Sequence, residues 1–77
     1  MCLAIPGEIT HINGAYALVN IMGAETEVFI KLIEKPRIGD YVLVHVGCAI
    51  EKIDKDYYRF LTDKYKSIVD EEGLMDG

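Results

Sequence analysis

The 77-residue sequence has no tryptophan, only two cysteines, two prolines and two histidines, and its 8 basic residues are outnumbered by 13 acidic ones. Each scarcity excludes something. A net charge of −5 makes the chain a poor partner for nucleic acid, because neutralisation of phosphates by Lys and Arg supplies most of that affinity. Two cysteines, Cys2 and Cys48, with no secretory apolar segment, do not make a disulfide framework. Reduced thiols in the cytoplasm are the expectation. No apolar run approaches the ~20 residues of a membrane span, and a lipoprotein anchor at Cys2 lacks the signal segment it needs. Repeats and low-complexity stretches are absent. A chain this short forms one domain, residues 1–77, and buries only roughly 60% of its unfolded surface. Its core has no room for a deep substrate cavity, so chemistry belongs at the surface or is shared with a partner.

What is present is a series of short β-prone runs. "IPGEITHI" (5–12) favours extended structure, with Pro6 at its start separating the first five residues from the sheet. Asn13-Gly14 suits a type I′ hairpin turn. "AYALVNIM" (15–22) reads as a buried strand, Gly23-Ala24 as a turn and "ETEVFI" (25–30) as a third strand. A loop with Pro36 follows and closes on Gly39-Asp40. The clearest strand is "YVLVHVG" (41–47), with Val42, Val44 and Val46 on one face and Tyr41, Leu43 and His45 on the other. "CAIEKI" (48–53) gives a fifth strand. Five short strands at close intervals predict a mainly β fold, a small five-stranded OB-like or SH3-like barrel over residues 1–53.

From Asp54 the period changes to that of a helix. Tyr57, Leu61, Tyr65 and Ile68 fall within one arc, with Tyr58 and Val69 beside them. The C-terminal amphipathic helix is expected over 54–73, capped by Asp54 or Asp56 and ended by Gly73, with 74–77 as a tail. Its apolar arc is expected to be mostly buried on the barrel; docking on a partner is the alternative.

The side chains able to bind metal or act as nucleophiles are Cys2, His11, His45 and Cys48. A structural zinc site wants paired, closely spaced ligands on both sides, and only "HVGC" (45–48) is compact. Cys48, three positions after His45, turns to the opposite face if the strand is uninterrupted, which suits a small core residue. His11 beside the turn reads as a solvated strand-end residue. His45 among valines reads as a half-buried structural residue, or as the companion of Cys2. Cys2 itself is either an incidental residue at a ragged end or, once Met1 is removed, a thiolate beside a free α-amine able to chelate a soft metal. A Cys2–His45 nucleophile pair lacks an identifiable oxyanion loop or orienting group.

"MCLAIPG", the turn "NG" at 13–14 and the run "GDYVLVHVGCAIEKI" together resemble the HypC/HupF hydrogenase assembly chaperones, from residue 1 to about residue 61. The one departure is Cys48, where that family more often carries an aromatic residue. The resemblance implies a metallochaperone rather than an enzyme, one that helps assemble the iron centre of nickel–iron hydrogenases with its cyanide and carbon monoxide ligands. It implies two partners, the iron–sulfur scaffold protein HypD and the precursor of the hydrogenase large subunit. The family's metal-handling cysteine falls on Cys2 and its characteristic histidine on His45. The alternative within the same pathway is an interaction module that never touches iron.

Overall fold

In the computed structural model, residues 4–76 are described, with side chains through Lys66. Strands β1 (Ile5–Asn13), β2 (Tyr16–Ile21), β3 (Ala24–Phe29), β4 (Tyr41–His45) and β5 (Cys48–Ile53) are followed by helix α1 (Lys55–Asp76). The strands close into a barrel in the order β1-β2-β3-β5-β4. Neighbours are antiparallel except β3 and β5, which pair in parallel at Phe29↔Cys48. The interior is built from alternate positions of each strand: Ile9, Ala17, Val19, Val28, Val42, Val44 and Ala49 are all buried. These are small or β-branched residues, which fill a narrow barrel without forcing its strands apart. Ile30 and Ile33, from the connection between β3 and β4, add to the same core. The amide of Ile30 donates to the carbonyl of Ala15 at 2.8 Å and holds that connection to the β1–β2 hairpin.

β1 serves two partners in succession. Its first half, Ile5 to Glu8, pairs with β4, and the rest, from Glu8 on, pairs with β2. Pro6 therefore lies inside the strand opposite Leu43, buried, and does not divide the amino-terminal residues from the sheet. A proline is tolerated there because β2 pairs only from Glu8, so β1 has a single hydrogen-bonding neighbour at that point. Gly7 is where the strand presses on β2: a Cβ at that position would stand 2.4 Å from Cγ1 of Val19.

The turns depart from the sequence expectation in both directions, the first lying one residue later than expected and the second, at Met22-Gly23 instead of Gly23-Ala24, one residue earlier. The first hairpin turns at Gly14-Ala15, one residue later than Asn13-Gly14, because Asn13 still pairs with Tyr16. Only Gly14 has a positive φ, the sign pattern of a type II′ turn. The second turns at Met22-Gly23, where both φ values are positive and the Gly23 amide donates to Oδ1 of Asn20 at 2.8 Å. β4 ends at His45, and Val46-Gly47 forms a two-residue turn with φ of 50° and 72°. Val46 thus leaves the buried valine face and is 84% exposed. A β-branched residue in left-handed backbone costs about 1–2 kcal/mol, and asparagine adopts it readily. Val46→Asn should stabilise the barrel by about 1 kcal/mol, raising the thermal midpoint by roughly 4–8 °C; an unchanged or lower midpoint would show the turn to be unstrained.

Asp54, not Asp56, caps α1: its Oδ1 accepts the Tyr57 amide at 2.7 Å. The helix runs through Gly73 to Asp76, as a helical glycine costs only about 1 kcal/mol and does not compel a stop. Contact with the barrel is made by the stripe Tyr58, Leu61, Thr62 and Tyr65, each half-buried, while Tyr57 is 46% and Phe60 55% exposed. The expected burial of Tyr57 is thus wrong by one residue of helix rotation. Tyr58 stacks on Tyr41 with ring centroids 4.2 Å apart. Burial there, with the Glu8 carboxylate and Tyr41 as lesser causes, raises the pKa of the Tyr58 hydroxyl. Since the folded state favours the protonated phenol, this contribution to stability is lost only in alkali, as pH climbs past the unfolded tyrosine value of 10.0. Leu61 is half-buried, so Leu61→Ala should cost less than about 2 kcal/mol, the floor of the range for fully buried leucines. Thermal unfolding of that variant measures it. No helix among the described residues is long and apolar enough to cross a membrane.

Candidate functional site

His45 is the last residue of β4, and its position follows from alternation. Val42 and Val44 point into the barrel, so Tyr41, Leu43 and His45 point out. The imidazole is half-buried on the outer face. The antiparallel pairs Glu8↔Tyr41 through Ile5↔Val44 run toward the start of β1, so that His45 follows the last paired residue of β4 at the end where Ala4 precedes Ile5. Cys2 lies outside the described residues.

Ala4 is fixed from a second direction. The hydroxyl of Tyr65 donates to the Ala4 carbonyl at 2.7 Å. With Tyr58 on Tyr41 and Tyr65 on Ala4, α1 lies across the outside of β1 and β4 and points toward the barrel end where the amino terminus emerges. The chain leading to Cys2 is thus anchored between a strand and a helix, two residues from the thiol. Nothing in the sequence marks Tyr65 for this role, because a docked helix's rotation about its own axis depends on packing that periodicity does not resolve.

Cys48 stands elsewhere than expected. The Val46-Gly47 turn interrupts the strand, so Cys48 begins β5 and pairs directly with His45. Opposed residues share a face, and both side chains leave the outer surface together. Cys48 is half-buried and free, with its Sγ 3.8 Å from the Ala49 carbonyl; it is not part of the core. The signal for this was the Val-Gly pair, a two-residue turn with glycine at its second corner. Beyond Cys48 the row of register partners continues through Phe29 to Tyr16, whose rings meet edge to face at 5.5 Å. His11 is exposed at the other end of β1, in a groove lined by Ile12, Tyr16, Leu18 and Glu27, in keeping with the solvated reading.

Among the described residues no group of three or more His, Cys, Asp or Glu side chains is placed to hold a metal ion. The arrangement there is smaller: an imidazole and a thiol on register partners at one end of the barrel, and Ala4 held by the Tyr65 hydroxyl at the same end. Such a site can hold a metal fragment with few protein ligands and many open positions.

Residues 1–63 match the HupF/HypC family. The chain is 35% identical over 78 residues to the hydrogenase maturation factor HypC of Escherichia coli K12, an alignment covering 94% of this chain and 87% of that protein. It is 37% identical over 71 residues to the factor of the same name from Helicobacter hepaticus, covering 90% and 83% of the two chains. To that of Rhizobium leguminosarum bv. viciae it is 39% identical over 57 residues, covering 73% and 76%. Fold, motif and matched length agree, and the chain belongs to the HupF/HypC family.

Proposed function

We propose that this protein serves hydrogenase maturation as a carrier, holding an iron fragment with cyanide and carbon monoxide ligands on Cys2 beside His45 and passing it between two partners. The relatives named as hydrogenase maturation factors support the pathway. The observation that supports this reading is that His45 lies on the outer face one residue beyond the Ile5↔Val44 pair, at the end of β1 from which the chain leads back to Cys2. A thiolate suits low-valent iron bearing strong-field ligands. One thiolate and one imidazole leave most of the iron's coordination to its own diatomic ligands and to the partner, so the cargo is not locked in. A closed set of four protein ligands would retain it. The partners in this reading are the iron–sulfur scaffold HypD, where the fragment is completed, and the precursor of the hydrogenase large subunit, which receives it.

The reading is tested by co-purifying the protein with its scaffold partner and recording iron content and infrared spectra of the complex. Bands of iron-bound cyanide and carbon monoxide that shift when Cys2 or His45 is replaced are the expected result. A complex whose bands are the same with and without those side chains would assign the iron wholly to the scaffold. This chain would then be an interaction module of the pathway.

A further inference from the structure

The hairpin that carries His45 presents a second metal-binding group. His45 and Cys48 are register partners across the Val46-Gly47 turn, which sets their Cβ atoms about 4.5–5.5 Å apart on one face. On a single zinc-like ion, with metal–sulfur and metal–nitrogen bonds of about 2.3 and 2.0 Å, tetrahedral geometry separates the two donor atoms by roughly 3.5 Å. Side chains rising from opposed Cβ atoms span that gap. Both residues are half-buried and both open to solvent. Among the described residues the thiol is held by nothing stronger than its 3.8 Å contact with the Ala49 carbonyl.

The pair is also held firmly. Its turn has only two residues, and the strand beyond it is clamped from the other side, where the Phe29 amide donates to the Gly47 carbonyl at 2.9 Å. Phe29 faces Cys48 in register and Val46 stands exposed beside it. Ligands on paired strands with apolar flanks are better fixed than ligands on a loop.

We propose that His45 and Cys48 together form an open two-ligand site for a thiophilic metal ion, independent of Cys2. Binding replaces the thiol proton, which is released to solvent, with the metal, and leaves the remaining coordination positions to water or to an incoming donor. The site shares His45 with the function proposed above but needs neither Cys2 nor a partner protein, so each reading can fail without the other.

The test uses the full chain carrying Cys2→Ser, reduced and free of oxygen, titrated with Cd2+. The expected result is one equivalent bound, an ultraviolet sulfur-to-cadmium charge-transfer band, and movement of the His45 ring resonances while those of His11 stay in place. Adding Cys48→Ala, or alkylating Cys48 in the Cys2→Ser protein, should remove the band. Adding His45→Gln should keep the band and weaken binding by about tenfold. No band in the Cys2→Ser protein, an affinity indifferent to His45→Gln, or resonance shifts at His11 instead would overturn the proposal. Failure of Cys2→Ser to support maturation while its cadmium site is intact bears on the carrier reading alone.

Discussion

Gly7→Ala is expected to cost this barrel more stability than any other single added methyl group we can name. The new Cβ would lie 2.4 Å from Cγ1 of Val19, 3.1 Å from Cγ1 of Ile21 and 3.3 Å from the carbonyl oxygen of Asn20. Relief by rotating Val19 is closed off, because a β-branched side chain has few χ1 options and Val19 is 0% exposed within the core. The strand must move instead, and it cannot move far: Ile5 to Glu8 are paired to β4 on one side while β2 begins its pairing at Glu8 on the other. Overpacking of this kind costs typically about 1–3 kcal/mol. For a domain of this size each kcal/mol shifts the thermal midpoint by about 4–8 °C, so a fall of roughly 4–24 °C is the expected reading. Gly7→Ala combined with Val19→Ala should recover part of the gap between Gly7→Ala and the parent, because the two changes share one contact. A midpoint within a few degrees of the parent for Gly7→Ala alone would mean that β1 is not pressed against β2.

How legible the fold was depended on what kind of information each element carried. Alternation of Val42 and Val44 with Tyr41, Leu43 and His45 is a period-2 signal, and the structure follows it residue by residue. Five runs and one change of period were enough for a mainly β barrel with a carboxy-terminal helix. Turn placement was harder. A hairpin's corner is set by pairing between its strands, so Asn13 is taken up by pairing with Tyr16 and the turn slides to Gly14-Ala15. The same effect hid Cys48. Read as one strand, "YVLVHVGC" puts His45 and Cys48 on opposite faces; with a two-residue turn at Val46-Gly47 they become neighbours.

The helix shows a different limit. An amphipathic arc centred on Tyr57, Leu61 and Tyr65 and one centred on Tyr58, Leu61 and Tyr65 differ by a rotation smaller than the arc itself. Sequence cannot choose between them, but a tyrosine partner can: Tyr41 stacks on Tyr58 and so sets the rotation, leaving Tyr57 in solvent. Once that rotation is set, Tyr65 reaches the Ala4 carbonyl. The site's strand half was therefore readable as far as His45, from alternation and from the family resemblance. Its helix half, the anchor on Ala4, came only from tertiary packing.

Replacing the two residues to which the proposed carrier function gives the cargo should separate function from folding. Cys2→Ala is expected to abolish hydrogenase maturation while leaving the thermal midpoint of the isolated protein unchanged, because the residue precedes the first strand, which starts at Ile5. Cys2→Ser should fail as well: an alcohol is far less acidic than a thiol and is a hard ligand where soft iron wants sulfur. His45→Ala removes a half-buried side chain from the outer face, not a core residue, so its stability cost should stay within about 1 kcal/mol. The variant should still meet its scaffold partner, and its iron content after co-purification should fall. These outcomes differ from those of a structural histidine, whose loss would lower the midpoint sharply and whose iron handling would recover under stabilising conditions. Three measurements on each variant decide the matter: the unfolding midpoint, recovery in complex with the scaffold, and iron delivered to the large-subunit precursor. Undiminished delivery by a stably folded His45→Ala protein would remove His45 from the carrier mechanism, and undiminished delivery by Cys2→Ala would end the mechanism itself.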